Sequence, residues 1–204
     1  MVRIKICGIT TAEDALDACD AGADALGFIF WKGSRRYVEP DEARRIVKGL
    51  PPFVTTVGVF VDEDLDTISG IVDLVGLDAV QLHGSETPEF CDSATRPVIK
   101  AFRVRGEEVL KELSHYHVSA CLLDAYREGV PGGTGEVFNW EIARRAAAQG
   151  RVILAGGLTP ENVGEAVQRV RPYGVDVSSG VERSAGKKDM DKVKRFIEKA
   201  REAA

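Results

Sequence analysis

The sequence lacks the features that mark secreted, membrane-spanning and zinc-binding proteins. Its four cysteines, Cys7, Cys19, Cys91 and Cys121, are far apart, with no Cys-x-x-Cys pair and no zinc-ligand spacing. No apolar run approaches the roughly 18–20 uncharged residues that a membrane span needs. The first apolar run contains charges, which is unlike a signal peptide. We therefore expect a reduced, cytoplasmic protein without a membrane partner.

An excess of positive charge is also missing. The 204 residues carry a net charge of −5, so nucleic acid is not expected as a partner. An anionic small molecule would need a local cluster of hydrogen-bond donors rather than the field of the whole protein. The chain has 44% apolar and 29% charged residues, which is typical of an ordinary globular protein with a real core.

Short β-branched runs alternate with longer amphipathic runs, and this change of period predicts strands and helices in turn. The predicted strands are Arg3–Cys7, Ala25–Ile29, Thr55–Phe60, Ala79–His83, Val98–Phe102, Ala120–Asp124, Val152–Ala155 and Val175–Ser178. The predicted helices are Ala12–Ala21, Asp41–Lys48, Leu65–Val75, Pro88–Ser93, Glu107–Leu113, Trp140–Ala148, Pro160–Val170 and Asp189–Ala203. Thr87 and Thr159 each precede a proline, which is typical of a helix cap followed by the first helical residue.

Eight strands, each followed by a helix, indicate an α/β fold of the (β/α)8 TIM-barrel type, with residues 1–204 as a single catalytic domain. The same alternation is compatible with a doubly wound open sheet. A short corner recurs before three of the strands, as Gly22-Ala23-Asp24-Ala25, Gly76-Leu77-Asp78-Ala79 and Gly174-Val175-Asp176-Val177. This repetition favours a ring of equivalent units.

Three strand ends carry side chains suited to proton transfer or, for His83, to substrate binding. The carboxyl ends of the strands line the site of such a barrel, and Cys7, His83 and Asp124 lie at the ends of strands one, four and six. A thiolate can act as a base, and a carboxyl group in a dry site can hold a proton and act as an acid. The alternatives are a packed cysteine, a solvated carboxylate and a histidine that makes only structural hydrogen bonds.

Two glycine-containing segments predict a phosphate site. Gly156-Gly157 follows strand seven and Ser179-Gly180 follows strand eight, where barrels commonly bind phosphate. Glycine allows the backbone N–H groups to approach a dianion closely. The alternative for each segment is an ordinary tight loop.

Side-chain parity places Lys5 beside Cys7, because alternate residues of a strand share a face. A thiol has a pKa of about 8.5, so a basic thiolate needs a nearby cation, and Lys5 can supply one. Asp176 is predicted to face inward on strand eight, next to strand one. An unpaired buried charge is costly, so we expect Asp176 to form an ion pair with Lys5.

Two loops complete the predicted site. Arg35 and Arg36 follow strand two, where a guanidinium can hold a substrate carboxylate through two hydrogen bonds. A solvated charged loop is the alternative. The segment Gly129–Gly135 contains four glycines and predicts a mobile loop after strand six, of the kind that closes over barrel sites and excludes water.

These residues, taken in order, resemble the phosphoribosylanthranilate isomerase family of tryptophan biosynthesis. The matching segments run over nearly the whole chain: Lys5-Ile6-Cys7-Gly8-Ile9-Thr10, Ser34-Arg35-Arg36-Tyr37-Val38, Gln81-Leu82-His83-Gly84, Leu123-Asp124, Gly132-Gly133-Thr134-Gly135, Phe138-Asn139-Trp140, Ala155-Gly156-Gly157-Leu158 and Asp176-Val177-Ser178-Ser179-Gly180-Val181-Glu182. The family often has Asp where this chain has Asn139. That position is predicted to cap a helix, and Asn caps as well as Asp.

The resemblance implies an isomerase that performs an Amadori rearrangement of a phosphorylated small-molecule substrate, with no metal and no organic cofactor. Asp124 would be the general acid that opens the sugar ring, and Cys7 the general base that removes the C2′ proton. Arg36 would hold the anthranilate carboxylate. From its own position at a strand end, His83 is expected to contribute to binding. The protein is expected to act as a monomer or a homodimer.

Three other interpretations remain at this point. The analogous isomerase of histidine biosynthesis uses Asp as the base on strand one and needs a second phosphate site, which Cys7 and the single predicted phosphate site disfavour. Indole-glycerol-phosphate synthase is a longer barrel with an extra N-terminal helix. A non-catalytic phosphate binder on the same barrel would have no need for both Cys7 and Asp124.

Overall fold

The computed structural model describes residues 1–124 and 140–204. The first eight strands pair in parallel, each with the next strand along the chain. The strands are β1 Arg3–Cys7, β2 Ala25–Ile29, β3 Thr55–Phe60, β4 Ala79–Leu82, β5 Val98–Arg103, β6 Ala120–Asp124, β7 Val152–Ala155 and β8 Gly174–Val177. The helices are α1 Ala12–Asp20, α2 Pro40–Lys48, α3 Leu65–Val75, α4 Pro88–Asp92, α5 Val109–Leu113, α6 Trp140–Ala147, α7 Val163–Val170 and α8 Met190–Glu202. After β8 come a 3-10 turn, Ser179–Val181, and a small antiparallel pair, β9 Glu182–Ser184 and β10 Lys187–Lys188.

The ring of strands is closed. β1 pairs with β2 on one side and with β8 on the other, with Ile4 opposite Val175 and Lys5 opposite Asp176. The predicted (β/α)8 barrel is therefore confirmed, and the open sheet is excluded. The predicted loop Gly129–Gly135 and the predicted cap Asn139 lie outside the described residues.

Alternation along each strand separates two layers of core. Ile4 and Ile6 on β1 are fully buried in the large apolar layer that the helices cover. The alternate residues of each strand, such as Lys5 on β1, face the barrel interior. A smaller apolar cluster there contains Leu122 and Ile153. Each large aliphatic side chain buried in this way contributes about 1.5–3 kcal/mol. The outer layer thus stabilises the ring, while the interior is available for polar groups.

Of the two predicted helix caps, one is confirmed and one is wrong. Thr87 caps α4 as predicted, because its hydroxyl accepts from the N–H of Phe90. The cap predicted at Thr159 is wrong, since α7 begins only at Val163. The amide of Asn162 turns back there: its Oδ1 accepts from the N–H of Thr159, and its Nδ2 donates to the carbonyl of Gly157. These bonds keep the chain in a turn before the helix begins.

A buried ion pair outside the barrel interior holds the turn after β4. Nζ of Lys100 lies 2.9 Å from Oε2 of Glu86, and both side chains are almost fully buried. Lys100 also donates to the carbonyl of Gly84. Glu86 accepts from the N–H groups of Gly84 and Asp62. The pair therefore fixes the backbone that follows His83.

Replacing Glu86 with Ala should destabilise the protein by about 3–5 kcal/mol, because a buried ammonium loses its counter-charge. The double variant E86L/K100M should be more stable than E86A, because it leaves no buried charge. Chemical denaturation measures both values. As a control, E165A removes the exposed partner of Arg169 and should cost less than about 1 kcal/mol. Equal stability of E86A and the double variant would contradict this account.

Candidate active site

The side chains predicted for chemistry all lie at the carboxyl end of the ring. Cys7 ends β1, Asp124 ends β6 and His83 directly follows β4. The two glycine-containing segments, residues 156–157 and 179–180, follow β7 and β8. A barrel concentrates these positions at one face because its strands are parallel.

The thiol of Cys7 is buried, and a glycine makes room for it. Cys7 lies opposite Gly27 of β2 in the strand register. A Cβ atom on Gly27 would lie 2.7 Å from Sγ of Cys7 and 3.1 Å from Nζ of Lys5. The absence of a side chain at Gly27 therefore determines where both the thiol and the ammonium can lie.

The expected ion pair between Lys5 and Asp176 is confirmed. Nζ of Lys5 lies 2.9 Å from Oδ1 of Asp176, and both side chains are buried. The same ammonium donates to Oε1 of Gln81 at 3.0 Å. Lys5 is thus held by groups on two other strands, directly beside Cys7.

The pKa of the Cys7 thiol is raised above its ordinary value. Burial is the largest cause, and the negative charge of Asp176 adds to it. Lys5 and Lys188 act in the opposite direction but do not outweigh burial. The sequence correctly indicated that Lys5 favours the thiolate. The net effect nevertheless makes the thiolate of Cys7 harder to form than that of an unburied cysteine.

His83 connects the centre of the barrel to Asp124. Its Nδ1 lies 2.9 Å from Nε2 of Gln81, and its Nε2 lies 3.3 Å from Oδ2 of Asp124. Both His83 and Asp124 are partly exposed, so a bound molecule can reach them. Their contact places a ring nitrogen and a carboxyl group next to each other at the mouth of the barrel.

Arg36 is not a solvated loop residue. Its Nε and Nη2 donate to the two carboxylate oxygens of Glu182 at 2.8 and 2.7 Å. Glu182 also accepts from the buried Nζ of Lys188 at 3.0 Å. Burial alone would raise the pKa of Glu182, but its hydrogen bonds to Arg36 and Lys188 prevail and hold the pKa below its ordinary value. These bonds hold Arg36 in place, and its aliphatic Cβ and Cδ atoms lie beside Gly8, the residue that follows Cys7.

The two glycine-containing segments adjoin each other. Gly156 and Gly157 have φ angles of +80° and +70°, in the left-handed region that glycine adopts without strain. A Cβ atom on Gly180 would lie 1.9 Å from the carbonyl oxygen of Leu158. Only glycine lets the loop after β8 pack this closely on the loop after β7. Among the described residues, no group of three or more His, Cys, Asp or Glu side chains could hold a metal ion.

Comparison with known proteins assigns the family. The family model described as N-(5′-phosphoribosyl)anthranilate (PRA) isomerase matches residues 4–199. A relative of that name from Geobacter sp. strain M21 is 58% identical over 201 residues, which cover 98% of each chain. The chain belongs to the phosphoribosylanthranilate isomerase family.

Solved structures of the family agree with this assignment. The isomerase from Thermotoga maritima superposes with a TM-score of 0.93 at 47% identity, over 99% of this chain and 100% of the other. A second solved phosphoribosylanthranilate isomerase, in complex with reduced 1-(o-carboxyphenylamino)-1-deoxyribulose 5-phosphate, has a TM-score of 0.90 at 45% identity, over 99% and 100% of the two chains. Family membership decides against the histidine-pathway isomerase and indole-glycerol-phosphate synthase.

Two residues of the candidate site, Lys188 and Gln81, were not predicted from the sequence. Lys188 lies in a charged run that is typical of a surface, yet its Nζ is fully buried and donates to the backbone carbonyl of Cys7 at 2.6 Å. Gln81 shares a strand face with His83 by parity, so its proximity to His83 could have been predicted. Its bond to Lys5 could not, because 76 residues separate the two. No local pattern signals the position of Lys188.

Replacing Gly27 with Ala should reduce kcat by about tenfold or more. The added methyl group would displace the thiol of Cys7, and a displacement of about 1 Å can cost roughly 100-fold in rate. Steady-state kinetics of the isomerase reaction measure the effect.

The matched control is Gly70→Ala. Gly70 lies in α3, with nothing within 4 Å of an added Cβ atom. This variant should keep the wild-type kcat and gain up to about 1 kcal/mol of stability. An unchanged kcat in folded G27A would show that the position of Cys7 is not critical.

Proposed function

We propose that this isomerase catalyses the Amadori rearrangement of N-(5′-phosphoribosyl)anthranilate to 1-(2-carboxyphenylamino)-1-deoxyribulose 5-phosphate, in tryptophan biosynthesis, by general acid–base catalysis. Family membership supports the reaction. One structural observation supports the roles: a buried thiol, Cys7, and a carboxyl group, Asp124, end two strands of one barrel beside adjoining glycine loops. Cys7 is the base and Asp124 is the acid.

The rearrangement needs no oxidant or reductant, because it only moves protons and electron pairs within the substrate. The carboxyl group of Asp124 gives its proton to the furanose ring oxygen, and the bond between that oxygen and C1′ breaks to leave an iminium ion. The thiolate of Cys7 then removes the C2′ proton, and the electrons of that C–H bond form the C1′–C2′ double bond of an enolamine. Tautomerisation places a proton on C1′ and gives the ketone at C2′.

Two groups of donors bind the anionic ends of the substrate. Backbone N–H groups of Gly156, Gly157, Ser179 and Gly180 receive the phosphate. The guanidinium of Arg36 binds the anthranilate carboxylate. Glu182 occupies two of the five N–H donors of Arg36, which orients the guanidinium before the substrate arrives. His83 lies beside Asp124 and contacts the substrate near the sugar ring.

Cys7→Ser and Asp124→Asn should each reduce kcat by about 10²–10⁴-fold, which is the usual contribution of a general base or acid. A fluorescence assay that follows the loss of phosphoribosylanthranilate measures the rate. Cys19→Ser is the matched control, because Cys19 lies in α1, away from the site. If C7S and D124N kept full turnover with unchanged ligand affinity, the catalytic assignment would be wrong.

The rate should depend on pH through the thiol of Cys7. Burial raises the pKa of this thiol, and only its deprotonated form acts as a base. The value of kcat/KM reports both catalytic groups of the free enzyme, and the mechanism needs Asp124 protonated while Cys7 is deprotonated. The thiol is therefore isolated in Asp124→Asn, where the residual kcat/KM should rise with pH through neutrality and continue to rise above about pH 8.5, the ordinary pKa of a thiol. Adding Cys7→Asp to this variant should move the rise to lower pH. A D124N profile that is already flat at pH 7 would contradict the assignment of Cys7.

We place the enzyme in a reducing compartment, the cytoplasm. All four cysteines are free, and two of them, Cys7 and Cys91, are buried. Among the described residues, no helix is both long and apolar enough to cross a membrane. A solved relative in complex with reduced 1-(o-carboxyphenylamino)-1-deoxyribulose 5-phosphate supports a small phosphorylated molecule, rather than nucleic acid or lipid, as the partner of this site.

Of the two oligomeric states expected, a homodimer fits the amino-terminal face of the barrel. Phe53 is 98% exposed there, at the edge of a cavity of about 370 Å³ that Val57, Ile99 and Ile153 help to line. A two-fold axis can place the Phe53 of each protomer in the cavity of the other, since such an interface uses the same patch twice.

Light scattering after gel filtration should give the mass of a dimer, and Phe53→Asp should give that of a monomer. Leu74→Asp, on the exposed side of α3, should leave the mass unchanged. A monomeric wild-type protein at micromolar concentration would contradict the homodimer.

A further inference from the structure

A continuous line of polar contacts crosses the mouth of the barrel from β8 to β6. It runs from Asp176 to Lys5 at 2.9 Å, to Gln81 at 3.0 Å, to His83 at 2.9 Å and to Asp124 at 3.3 Å. It joins the cation beside the proposed base to the proposed acid. Gln81 stands at its centre, 1% exposed, and the proposed mechanism gives it no role.

The direction of these bonds follows from the chemistry of Lys5. An ammonium group only donates hydrogen bonds, so Gln81 must present its carbonyl oxygen to Lys5. The opposite amide orientation would place an N–H donor against the ammonium, in a position that water does not reach. The NH2 group of Gln81 therefore points at His83.

The orientation of Gln81 determines which nitrogen of His83 carries the proton. Nδ1 of His83 faces an N–H donor, so Nδ1 must accept and has no hydrogen. A neutral imidazole then carries its hydrogen on Nε2. That N–H points at Oδ2 of Asp124.

We propose that Gln81 is a positioning residue, which fixes His83 as the Nε2–H tautomer and so holds an N–H donor against the carboxyl group of Asp124. Its effect on catalysis depends on the role proposed for Asp124. When Asp124 has given its proton to the ring oxygen, it becomes a carboxylate. A hydrogen bond to a charged acceptor is stronger than one to a neutral acceptor, so the fixed donor favours the ionised product of the acid step.

A purely structural role is the competing explanation. In that case Gln81 only supplies a neutral acceptor for the buried Lys5, and the tautomer of His83 is incidental. The two explanations differ in what a substitution of Gln81 does to the ring of His83. They also differ in whether its kinetic effect requires Asp124.

Nitrogen-15 NMR of histidine-labelled protein tests the tautomer directly. The chain has three histidines, so His115 and His117 serve as internal references. Wild-type His83 should show a protonated Nε2 and an unprotonated Nδ1. In Gln81→Glu the new carboxylate accepts from both Lys5 and His83, so Nδ1 should become protonated while the reference signals stay unchanged. A protonated Nδ1 in the wild-type protein, or an unchanged ring in Q81E, would overturn the proposal.

Kinetics test the link to catalysis. Gln81→Met keeps the length of the side chain but removes both polar groups, and it should lower kcat by about tenfold or more with a change in KM below about twofold. In a D124N background the same substitution should cost nothing further, since coupled residues are not additive. An equal loss in both backgrounds would show that Gln81 acts elsewhere and overturn the catalytic part.

The two proposals fail separately. Full turnover in D124N would refute the acid role of Asp124 while leaving the NMR result for His83 intact. Near-ultraviolet circular dichroism verifies folding, and if Q81M does not fold, Q81E provides the kinetic comparison with the same expected loss of kcat.

Discussion

The ammonium of Lys5 is the group on which the interior of this barrel depends. It lies where water does not reach. An uncompensated charge at this position would destabilise the folded protein by several times the energy of a typical contact. Closure of the ring supplies Asp176 from the neighbouring strand, and β4 supplies the carbonyl of Gln81. Both polar sides of the site, Cys7 and the line of contacts to Asp124, are arranged around this cation.

Charge is balanced differently on the two sides of the site. Lys5 and Asp176 neutralise each other, whereas Arg36 and Lys188 share the single carboxylate of Glu182. The second group therefore has one positive charge in excess, within a chain whose net charge is −5. A local cation of this kind attracts an anionic substrate without a basic protein surface. The burial that strengthens these pairs also raises the pKa of Cys7, so the same environment that positions the proposed base makes its thiolate less available.

Much of the fold could be predicted because β-strands bury a regular pattern of residues. The bounds of β1, β2, β3, β6 and β7 match the predicted ones, and those of β4, β5 and β8 differ by one residue at an end, whereas β9 and β10 were not predicted. Helix starts were less predictable, because a cap depends on which side chain reaches the free N–H groups first. At α7 the amide of Asn162 bonds to Thr159 and Gly157, and the threonine-proline pair does not begin the helix. Local sequence cannot rank such competing bonds.

The sequence by itself determined which segments form the eight barrel strands, the face that Lys5 shares with Cys7, and the strand ends at which the proposed acid, base and phosphate-binding groups lie. These properties depend on neighbours within a few residues. The tertiary structure alone decided that Arg36 meets Glu182 across 146 positions, that Lys188 is buried against Cys7, and that Gln81 turns its amide toward His83. Contacts between distant segments depend on how the whole chain packs. The burial that raises the pKa of Cys7, against the opposite effect of Lys5, depends on the same packing. No local pattern contains that information.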